Sequence, residues 1–380
     1  MLVCVLATIV LSLPVVQTRF AKYATDTLNE TFGTHISIER LKISLITWDA
    51  SLNGVYVEDY QMDTLFYIQQ LSTSILNLRN LSNGKLEFGD IDMDRLNFKL
   101  KTYKDDDRSN LEVFIDQLGD TLPRQPGTPP FYFSSANVNI SNSKFKLIDE
   151  NRETQDQLNF RDLNISAKDF LILGPAVTTE IEEMSLLSKK GLKLDKLSTE
   201  FKYTKQQMRF DSLQIQTPGS DIQGNLVFNY ERKDFADFLN KVNIVANFED
   251  STVSLDEINK LYDQFGEGKK ISFSSNVNGV LNDLNTTNLF LQSDNTGIRG
   301  DFNFKNLFEN NENFVLDAKI KNVTSSYYAL RGLLPNILGK TLPSSFQKFG
   351  QFTIRGESMI TTKAIQARIN INTAVGSSYA

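Results

Sequence analysis

The chain contains almost none of the residues from which metal sites, disulfide frameworks and hydrolytic triads are built. Cysteine and histidine occur once each in 380 residues, as Cys4 and His35. A single cysteine forms no disulfide within the chain, and a single histidine argues against a zinc site or a Ser-His-Asp triad. We therefore predict no enzymatic activity, no catalytic or metal-binding residue and no cofactor, and we interpret His35 as a loop residue after Gly33.

Basic clusters, glycine and proline are scarce as well. The net charge is −6, and the lysines and arginines are scattered without forming a stripe, so nucleic acid is not expected as a partner. With Gly 20 and Pro 9 the composition is not that of a disordered or collagen-like chain. The length exceeds the ~250–300 residues at which one compact core stops growing. Several domains or an extended array are therefore expected.

Phenylalanine, in contrast, is abundant. The chain has 27 Phe against 12 Tyr and one Trp. The phenylalanine ring is large and apolar and carries no hydrogen-bonding group. This bias is typical of surfaces that have to stay free of water.

The amino terminus, MLVCVLATIVLSLPVV, is uncharged, and the first charge is Arg19. A spanning helix needs about 20 apolar residues, and a signal peptide needs a basic start, which this segment lacks. We therefore favour a membrane anchor over residues 1–17, with its beginning missing, over a signal peptide. Its candidate membrane residues are Leu2, Val3, Val5, Leu6, Ile9, Val10, Leu11 and Leu13.

The residues after this segment have the spacing of a helix. Apolar residues recur at every fourth position, and the pattern predicts an amphipathic helix over 18–33 that ends at Gly33. The predicted apolar face consists of Val16, Phe20, Ala24, Leu28 and Phe32, joined by Tyr23.

Beyond Gly33 the period changes to two, which predicts strands with one apolar and one polar face. In residues 90–101 the apolar set is Ile91, Met93, Leu96, Phe98 and Leu100. Turn residues separate such runs, and few helical segments interrupt them. The first predicted segment is a β segment at 34–120 that ends in a helix at 111–120, and a proline-rich linker or crossing loop follows at 121–130. Strands are predicted at 131–324, with short helices near 231–241 and 254–265. Short amphipathic helices that cap an opening are predicted at 325–350, and further strands that are expected to continue at 351–380.

Two local features carry specific predictions. Ser254 followed by Glu257 predicts a capping box at the start of the second short helix. Acidic groups occur at Asp90, Asp92 and Asp94 and at 105–107. The first three alternate with apolar residues and are therefore predicted on the wet face of a strand, and the run at 105–107 is predicted as a solvated loop.

Three all-β architectures could use such strands. Tandem sandwiches need clear boundaries, and only 121–130 looks like one; a membrane barrel needs aromatic girdles, whereas the aromatic residues here are scattered. We predict a mainly β fold, an elongated and curled sheet that forms a groove with a hydrophobic interior, as in a β-taco. The candidate lining residues are Phe98, Leu100, Phe145, Leu147, Leu226, Phe228, Phe273, Val277, Phe302, Phe304, Leu316 and Ile320.

The order of the first segments resembles a known family. After the anchor and the helix come ISIERLKIS, DASLNGVYVED, DTLFYIQQLSTSILNL and NGKLEFGDIDMDRLNFKLKTY. This order resembles the amino-terminal part of the AsmA/TamB superfamily, specifically TamB-like translocation and assembly module proteins. The corresponding positions are 36–44, 52–59, 66–76 and 85–100, and the later strands fit more loosely.

The resemblance implies an inner-membrane protein of a two-membrane bacterium, with a single membrane pass and its bulk in the periplasm. It implies a β-taco groove, transfer of phospholipid toward the outer membrane, and assembly of outer-membrane proteins with a barrel partner. Family members are longer, so we expect this chain to be part of a larger protein.

Two functional hypotheses therefore stand side by side. In the first, the groove carries phospholipid acyl chains between membranes or supports outer-membrane assembly. In the second, the chain is a cell-surface structural or adhesive protein of tandem β-sandwich domains. Its Asn-x-Ser/Thr triplets could suggest glycosylation in that case, and they begin at Asn29, Asn80, Asn139, Asn164, Asn285 and Asn322.

Overall fold

A computed structural model of the chain describes residues 14–44, 47, 49–75, 85–120, 132–152, 156–260, 265–307, 313–335 and 344–379. The fold is mainly β, with 67% of the structure in strands, as predicted. The chain divides into two compact units, residues 1–194 and 195–380.

In the described residues, the first unit consists of one ladder of strands with two helices. Each strand pairs antiparallel with the next, except that β4 and β5 are parallel. The elements are α1 Pro14–Phe32, β1 His35–Ile43, β2 Asp49–Glu58, β3 Thr64–Ile75, β4 Lys85–Thr102, α2 Asn110–Asp120, β5 Tyr132–Asp149, β6 Asp156–Leu173 and β7 Ala176–Ser188.

The parallel pair β4 and β5 requires a long connection, and the proline-rich residues 121–130 belong to that connection in the sequence. Parallel neighbours need a crossover of a dozen or more residues, and the connection from β4 to β5 contains α2. The segment 121–130 itself lies outside the described residues. The strands β4 and β5 on its two sides pair with each other in one ladder.

Helix α1 differs from its prediction in its first residue and at Tyr23. It begins at Pro14, and Gln17, Ala21 and Thr25 are buried among its described side chains. Tyr23 was predicted on the apolar face, but it is 71% exposed. The side chains of Phe20, Ala24, Leu28 and Phe32, and the anchor residues 1–13, lie outside the described part of the chain. Gln17 is buried because α1 lies along the edge of β1, where backbone groups need partners.

The predicted membrane residues, from Leu2 to Leu13, lie outside the described part of the chain. No helix in the residues that the structure describes is both long enough and apolar enough to cross a membrane.

Helix α2 begins with a capping box that the sequence analysis did not identify. The backbone N–H of Ser109 donates to Glu112 (2.7 Å), and that of Glu112 donates to Ser109 Oγ (3.3 Å). The helix then places Phe114 in a cluster with Val57 and Leu65, both of which are buried. This cluster is the core of the first unit at β2–β4.

The second unit is a ladder in which each strand from β8 to β18 pairs antiparallel with the next. Short helices lie between some strands. The elements are β8 Lys193–Tyr203, β9 Gln207–Gln216, β10 Asp221–Asn229, a 3-10 turn Arg232–Asp237, α3 Phe238–Lys241, β11 Asn243–Ser254, α4 Leu255–Asn259, β12 Lys270–Val280, β13 Asp283–Ser293, β14 Thr296–Lys305, β15 Val315–Ser326, α5 Tyr327–Leu333, a 3-10 turn Ser344–Phe349, β16 Gln351–Thr361, β17 Ile365–Thr373 and β18 Gly376–Tyr379.

Three local predictions need correction. His35 is the first residue of β1 and not a loop residue, because it pairs with Glu58. The segment 325–350 contains helix α5 and the 3-10 turn Ser344–Phe349, in agreement with the predicted short helices, but its first two residues belong to β15, and 336–343 lies outside the described residues.

The third correction concerns the capping box at α4. Ser254 precedes α4, but its side chain makes no capping hydrogen bond. Glu257 instead accepts hydrogen bonds from Thr217 Oγ1 (2.6 Å), from the Gly219 backbone N–H (3.0 Å) and from Ser220 Oγ. The turn between β9 and β10 thus supplies three donors to this carboxylate, which outnumber the single N–H that a capping box provides.

The apolar period of many strands slips by one residue, and left-handed residues explain the slip. In β4, Met93 and Leu96 are three residues apart, and Arg95 between them has φ 54°. Such a residue adds one step to a strand, so the apolar side chains before and after it stay on one face. The residues of this kind within strands are Arg95, Asn142, Asp162, Asp169, Ser212, Asp250 and Asn288.

These bulges are held by the neighbouring strand. An amide or carboxylate oxygen accepts the backbone N–H of the bulged residue in three cases: Asn142 to Asn164 (3.0 Å), Ser212 to Asn225 (2.9 Å) and Asn288 to Asp301 (2.7 Å). A bulge bends its strand and increases the local twist. The recurrence of the device therefore bends successive strands at comparable positions.

Candidate functional site

The strand registers of the second unit place apolar residues in rows on one face. Residues opposite each other in neighbouring strands share a face. Row 1 consists of Phe228, Ile244, Gly279, Leu284, Phe304, Leu316, Ile360 and Ile365. Row 2 consists of Leu226, Ala246, Val277, Thr286, Phe302, Ala318, Ser358 and Ala367. Row 3 consists of Phe273, Leu291, Ile298, Val323, Ile354 and Ile371.

The rows differ in the size of their residues. Row 2 contains small, buried residues, such as Ala246 at 6% exposure and Ala318 at 2%. Rows 1 and 3 contain mostly large aliphatic and aromatic residues. None of the three rows contains an ionisable side chain, so the face can hold an apolar chain.

The registers bring the predicted lining residues of the second unit together. Phe228, Phe304 and Leu316 belong to row 1, Leu226, Val277 and Phe302 to row 2, and Phe273 to row 3. Ile320 lies between Gly300 and Gly356 on the neighbouring strands. All eight residues are half-buried. A half-buried ring or aliphatic side chain retains accessible surface for a further apolar contact.

The first unit has a shorter apolar row. Phe98 lies opposite Phe145, with ring centroids 5.5 Å apart, and Phe145 stacks on Phe160 at 6.0 Å. Leu100 lies opposite Leu147 in the same register. These four predicted residues are half-buried as well.

Part of this row is already covered by α2. Phe114 meets Phe66 edge to face, with centroids 6.5 Å apart, and Phe98 packs against the same cluster. At β2–β4 the apolar face is therefore ordinary core, whereas Leu158 on β6, opposite Leu147, is 41% exposed.

The opposite face of the strands is polar. Asp90, Asp92 and Asp94 accept hydrogen bonds from the side-chain amides of Asn137 (2.7 Å), Asn139 (2.9 Å) and Asn142 (2.7 Å), respectively. The hydrogen bond from Asn142 lowers the pKa of Asp94. This arrangement confirms that the three carboxylates lie on the wet face. In the second unit, asparagines on neighbouring strands pair likewise, Asn247 with Asn276 (2.6 Å) and Asn303 with Asn285 (2.8 Å).

A buried carboxylate joins β2 to the start of α2, and nothing in the spacing of the sequence indicated it. Asp59 is 2% exposed. Its Oδ2 accepts from Tyr103 Oη (2.8 Å) and Asn110 Nδ2 (3.0 Å), and its Oδ1 accepts from the backbone N–H groups of Gln61 (2.9 Å) and Asp63 (3.0 Å). Burial and the hydrogen bond to Asp59 raise the pKa of Tyr103.

Charged groups surround this carboxylate on its solvent side. Lys99 Nζ lies 2.7 Å from Asp63 Oδ1, and Lys101 Nζ lies 2.8 Å from Glu150 Oε1. Tyr60 Oη donates to Asp106 Oδ2 (2.6 Å), which lowers the pKa of Asp106. Asp106 is therefore part of this polar junction, whereas its exposed neighbours Asp105 and Asp107 fit the predicted solvated loop.

An open depression of about 350 Å³ lies on the polar face of β13–β15. The guanidinium of Arg299 lies 4.9 Å from the centre of the Phe290 ring there, and Asn322 and Gln292 complete the lining. The depression is thus on the face opposite the predicted lining residues.

No protein-family model matches the chain, and no curated protein matches it.

Proposed function

We propose that this chain is a lipid-carrying protein of the TamB/AsmA type. In this proposal it is anchored in the inner membrane by its amino terminus, and its bulk lies in the periplasm of a two-membrane bacterium. Its apolar face carries phospholipid acyl chains, and it acts in lipid transfer, in outer-membrane protein assembly with a barrel partner, or in both. It performs no catalysis.

The observation that carries the proposal is the apolar face of the second unit, on which the eight predicted lining residues are half-buried. Each methylene that leaves water contributes about 0.8 kcal/mol. Because neighbouring residues of a row are on paired strands, an acyl chain that lies across the strands can move from one strand to the next without losing all its contacts at once.

The length of row 1 suits this ligand. The row crosses the strands from β10 to β17, and seven spacings of ~4.8 Å give roughly 34 Å. The hydrocarbon core of a bilayer, which holds two acyl chains end to end, is about 30 Å thick. Row 1 is therefore longer than one acyl chain, as a carrier that passes lipids along a face requires.

The arrangement of strands supports this proposal over the tandem-sandwich alternative. A sandwich divides its strands between two sheets whose apolar faces cover each other. In each unit the described strands form one ladder in chain order. The resemblance of residues 36–100 to TamB-like proteins adds the inner membrane, the periplasm and the barrel partner to the proposal.

The test is photo-crosslinking in cells at one residue of each face. A photoreactive phenylalanine analogue at Phe273 or Phe302 should form adducts that contain phospholipid, because both positions belong to the apolar rows. Mass spectrometry of the purified adducts identifies the lipid.

The matched controls use the polar face of the same strands. The analogue at Asn276 on β12 or Asn303 on β14 should give little or no lipid adduct. Adducts only with protein at Phe273 and Phe302, or equal lipid labelling on both faces, would contradict the proposal.

A further inference from the structure

Helix α1 occupies the outer edge of β1 as a neighbouring strand would. Gln17 Nε2 donates to the Ile43 carbonyl (2.8 Å), and Gln17 Oε1 accepts the Ile43 N–H (2.8 Å). Asn29 does the same with Ile36, with Nδ2 to the carbonyl (2.8 Å) and Oδ1 from the N–H (2.8 Å). Each side-chain amide therefore offers one donor and one acceptor to a single residue, as a peptide group in a paired strand does.

The path of the chain makes this contact possible. Gly33, with φ +64°, and Thr34 turn the chain back so that β1 runs beside α1. Between the two amides, Ala21 and Thr25 are 3% and 6% exposed, and their small side chains let the helix approach the strand. From Gln17 to Asn29 the helix rises about 18 Å, and from Ile36 to Ile43 the strand spans about 23 Å, so the two amides reach both ends of β1.

An uncovered edge strand invites pairing with another strand. The sequence of β1, HISIERLKI, is complementary to itself in one antiparallel register. In that register apolar residues face apolar residues and a carboxylate faces a guanidinium, and such cross-strand pairs stabilise a sheet. The facing pairs between two copies are Ile36 with Ile43, Ile38 with Leu41, and Glu39 with Arg40.

The same register also brings together the backbone N–H and carbonyl groups on the outer edges of the two β1 strands. Ile36 and Ile43 are the residues whose N–H and carbonyl groups bind the amides of α1, and in the self-paired register these two residues lie opposite each other. We propose that α1 is an edge cap, and that β1 pairs antiparallel with β1 of a second copy of this chain when the cap is released. The resulting interface is two-fold symmetric, as in most homodimers.

The test removes both amides in the full chain. In a Cys4→Ser background, Gln17→Ala with Asn29→Ala should convert a monomer to a dimer in light scattering after size-exclusion chromatography. The register is read from added Ser37→Cys and Lys42→Cys. Within one chain these positions lie about 17 Å apart along β1, beyond the ~7 Å between Cα atoms that a disulfide allows. We expect at least tenfold more disulfide-linked dimer than with both amides intact.

The control keeps both amides and changes the exposed side of α1. Lys22→Ala with Asp26→Ala removes an ion pair of 3.0 Å and should leave the chain monomeric. A charge swap then separates pairing from misfolding. In the double-alanine variant, Glu39→Arg should reduce the linked dimer, because it puts two cations opposite each other, and adding Arg40→Glu should restore it.

The proposal is wrong if the double-alanine variant stays monomeric, or if it assembles without the disulfide between positions 37 and 42. It is also wrong if the charge swap does not restore the linked dimer.

Discussion

Replacing Asp59 by asparagine should loosen the start of helix α2 and leave the second unit unchanged. The carboxylate accepts four hydrogen bonds, two at each oxygen, while it is 2% exposed. Asparagine keeps one oxygen that can accept two of them. Its NH₂ group meets the other two donors, from Tyr103 and Asn110 or from the backbone, so two hydrogen bonds are lost.

The size of the effect follows from these bonds. A hydrogen bond to a charged group contributes about 1.5–3 kcal/mol, so the loss is roughly 3–6 kcal/mol. The neutral side chain offsets part of this loss because burying a carboxylate is itself costly. We expect a net decrease of about 3 kcal/mol in the free energy of opening at α2, or ~10²-fold faster exchange, since about 1.4 kcal/mol corresponds to a factor of ten.

Hydrogen–deuterium exchange measured by mass spectrometry resolves such local opening. Peptides from α2 and from the end of β4 should exchange faster in Asp59→Asn, and peptides from β10–β17 should not change. The control is Asp92→Asn, because Asp92 accepts its hydrogen bond from Asn139 on the exposed face, and exposed substitutions stay within about 0.5 kcal/mol. Unchanged exchange at α2 in Asp59→Asn, or an equal effect of Asp92→Asn, would refute the reasoning.

Two further predictions concern backbone geometry and pH. Gly224→Ala should lower the free energy of unfolding of the second unit by about 1–3 kcal/mol in chemical denaturation, because its φ is +157° and a Cβ there would overlap the Asn247 carbonyl oxygen. The control, Gly376→Ala, has φ +148° but open space around the added Cβ, so it should cost less. Equal losses for the two variants would argue against the steric cause. Burial alone would raise the pKa of Asp63, but the hydrogen bonds from Lys99 and the Thr64 N–H outweigh it and lower the pKa. A carboxyl with a lowered pKa stabilises the fold above its unfolded-state pKa of ~3.9 and loses that contribution as the pH falls through the folded-state value. Stability of the first unit should therefore fall below about pH 4, and Asp63→Asn should flatten that fall; an unchanged pH profile would contradict the assignment.

Alternation of apolar and polar residues was enough to predict which side chains share a face. The twelve predicted lining residues all lie on strands and are half-buried, and Asp90, Asp92 and Asp94 lie on the polar face as predicted. Side chains in a strand alternate between the two faces, so the apolar pattern gives the face, and at a bulge such as Arg95 the same face continues after one extra residue. Their role in carrying lipid remains a proposal.

The contacts of helix α1 with β1 were not predicted. Tyr23 was assigned to the apolar face of α1 but is exposed, whereas Gln17, Ala21 and Thr25 are buried among the described side chains. A helix that packs on a sheet face buries apolar residues, whereas one that covers a strand edge satisfies backbone groups with amides. The spacing of apolar residues in α1 does not distinguish these two surroundings.

The sequence by itself determined the strands and their two faces, because these depend on the alternation of side chains along the chain. Only the tertiary structure decided that β4 and β5 run parallel, that Glu257 binds the β9–β10 turn instead of capping α4, and that Asp59 holds the start of α2. These contacts join residues about 40 to 50 positions apart in the chain. Their partners are chosen by which donors and acceptors the folded ladder brings together, and no local spacing in the sequence encodes that choice.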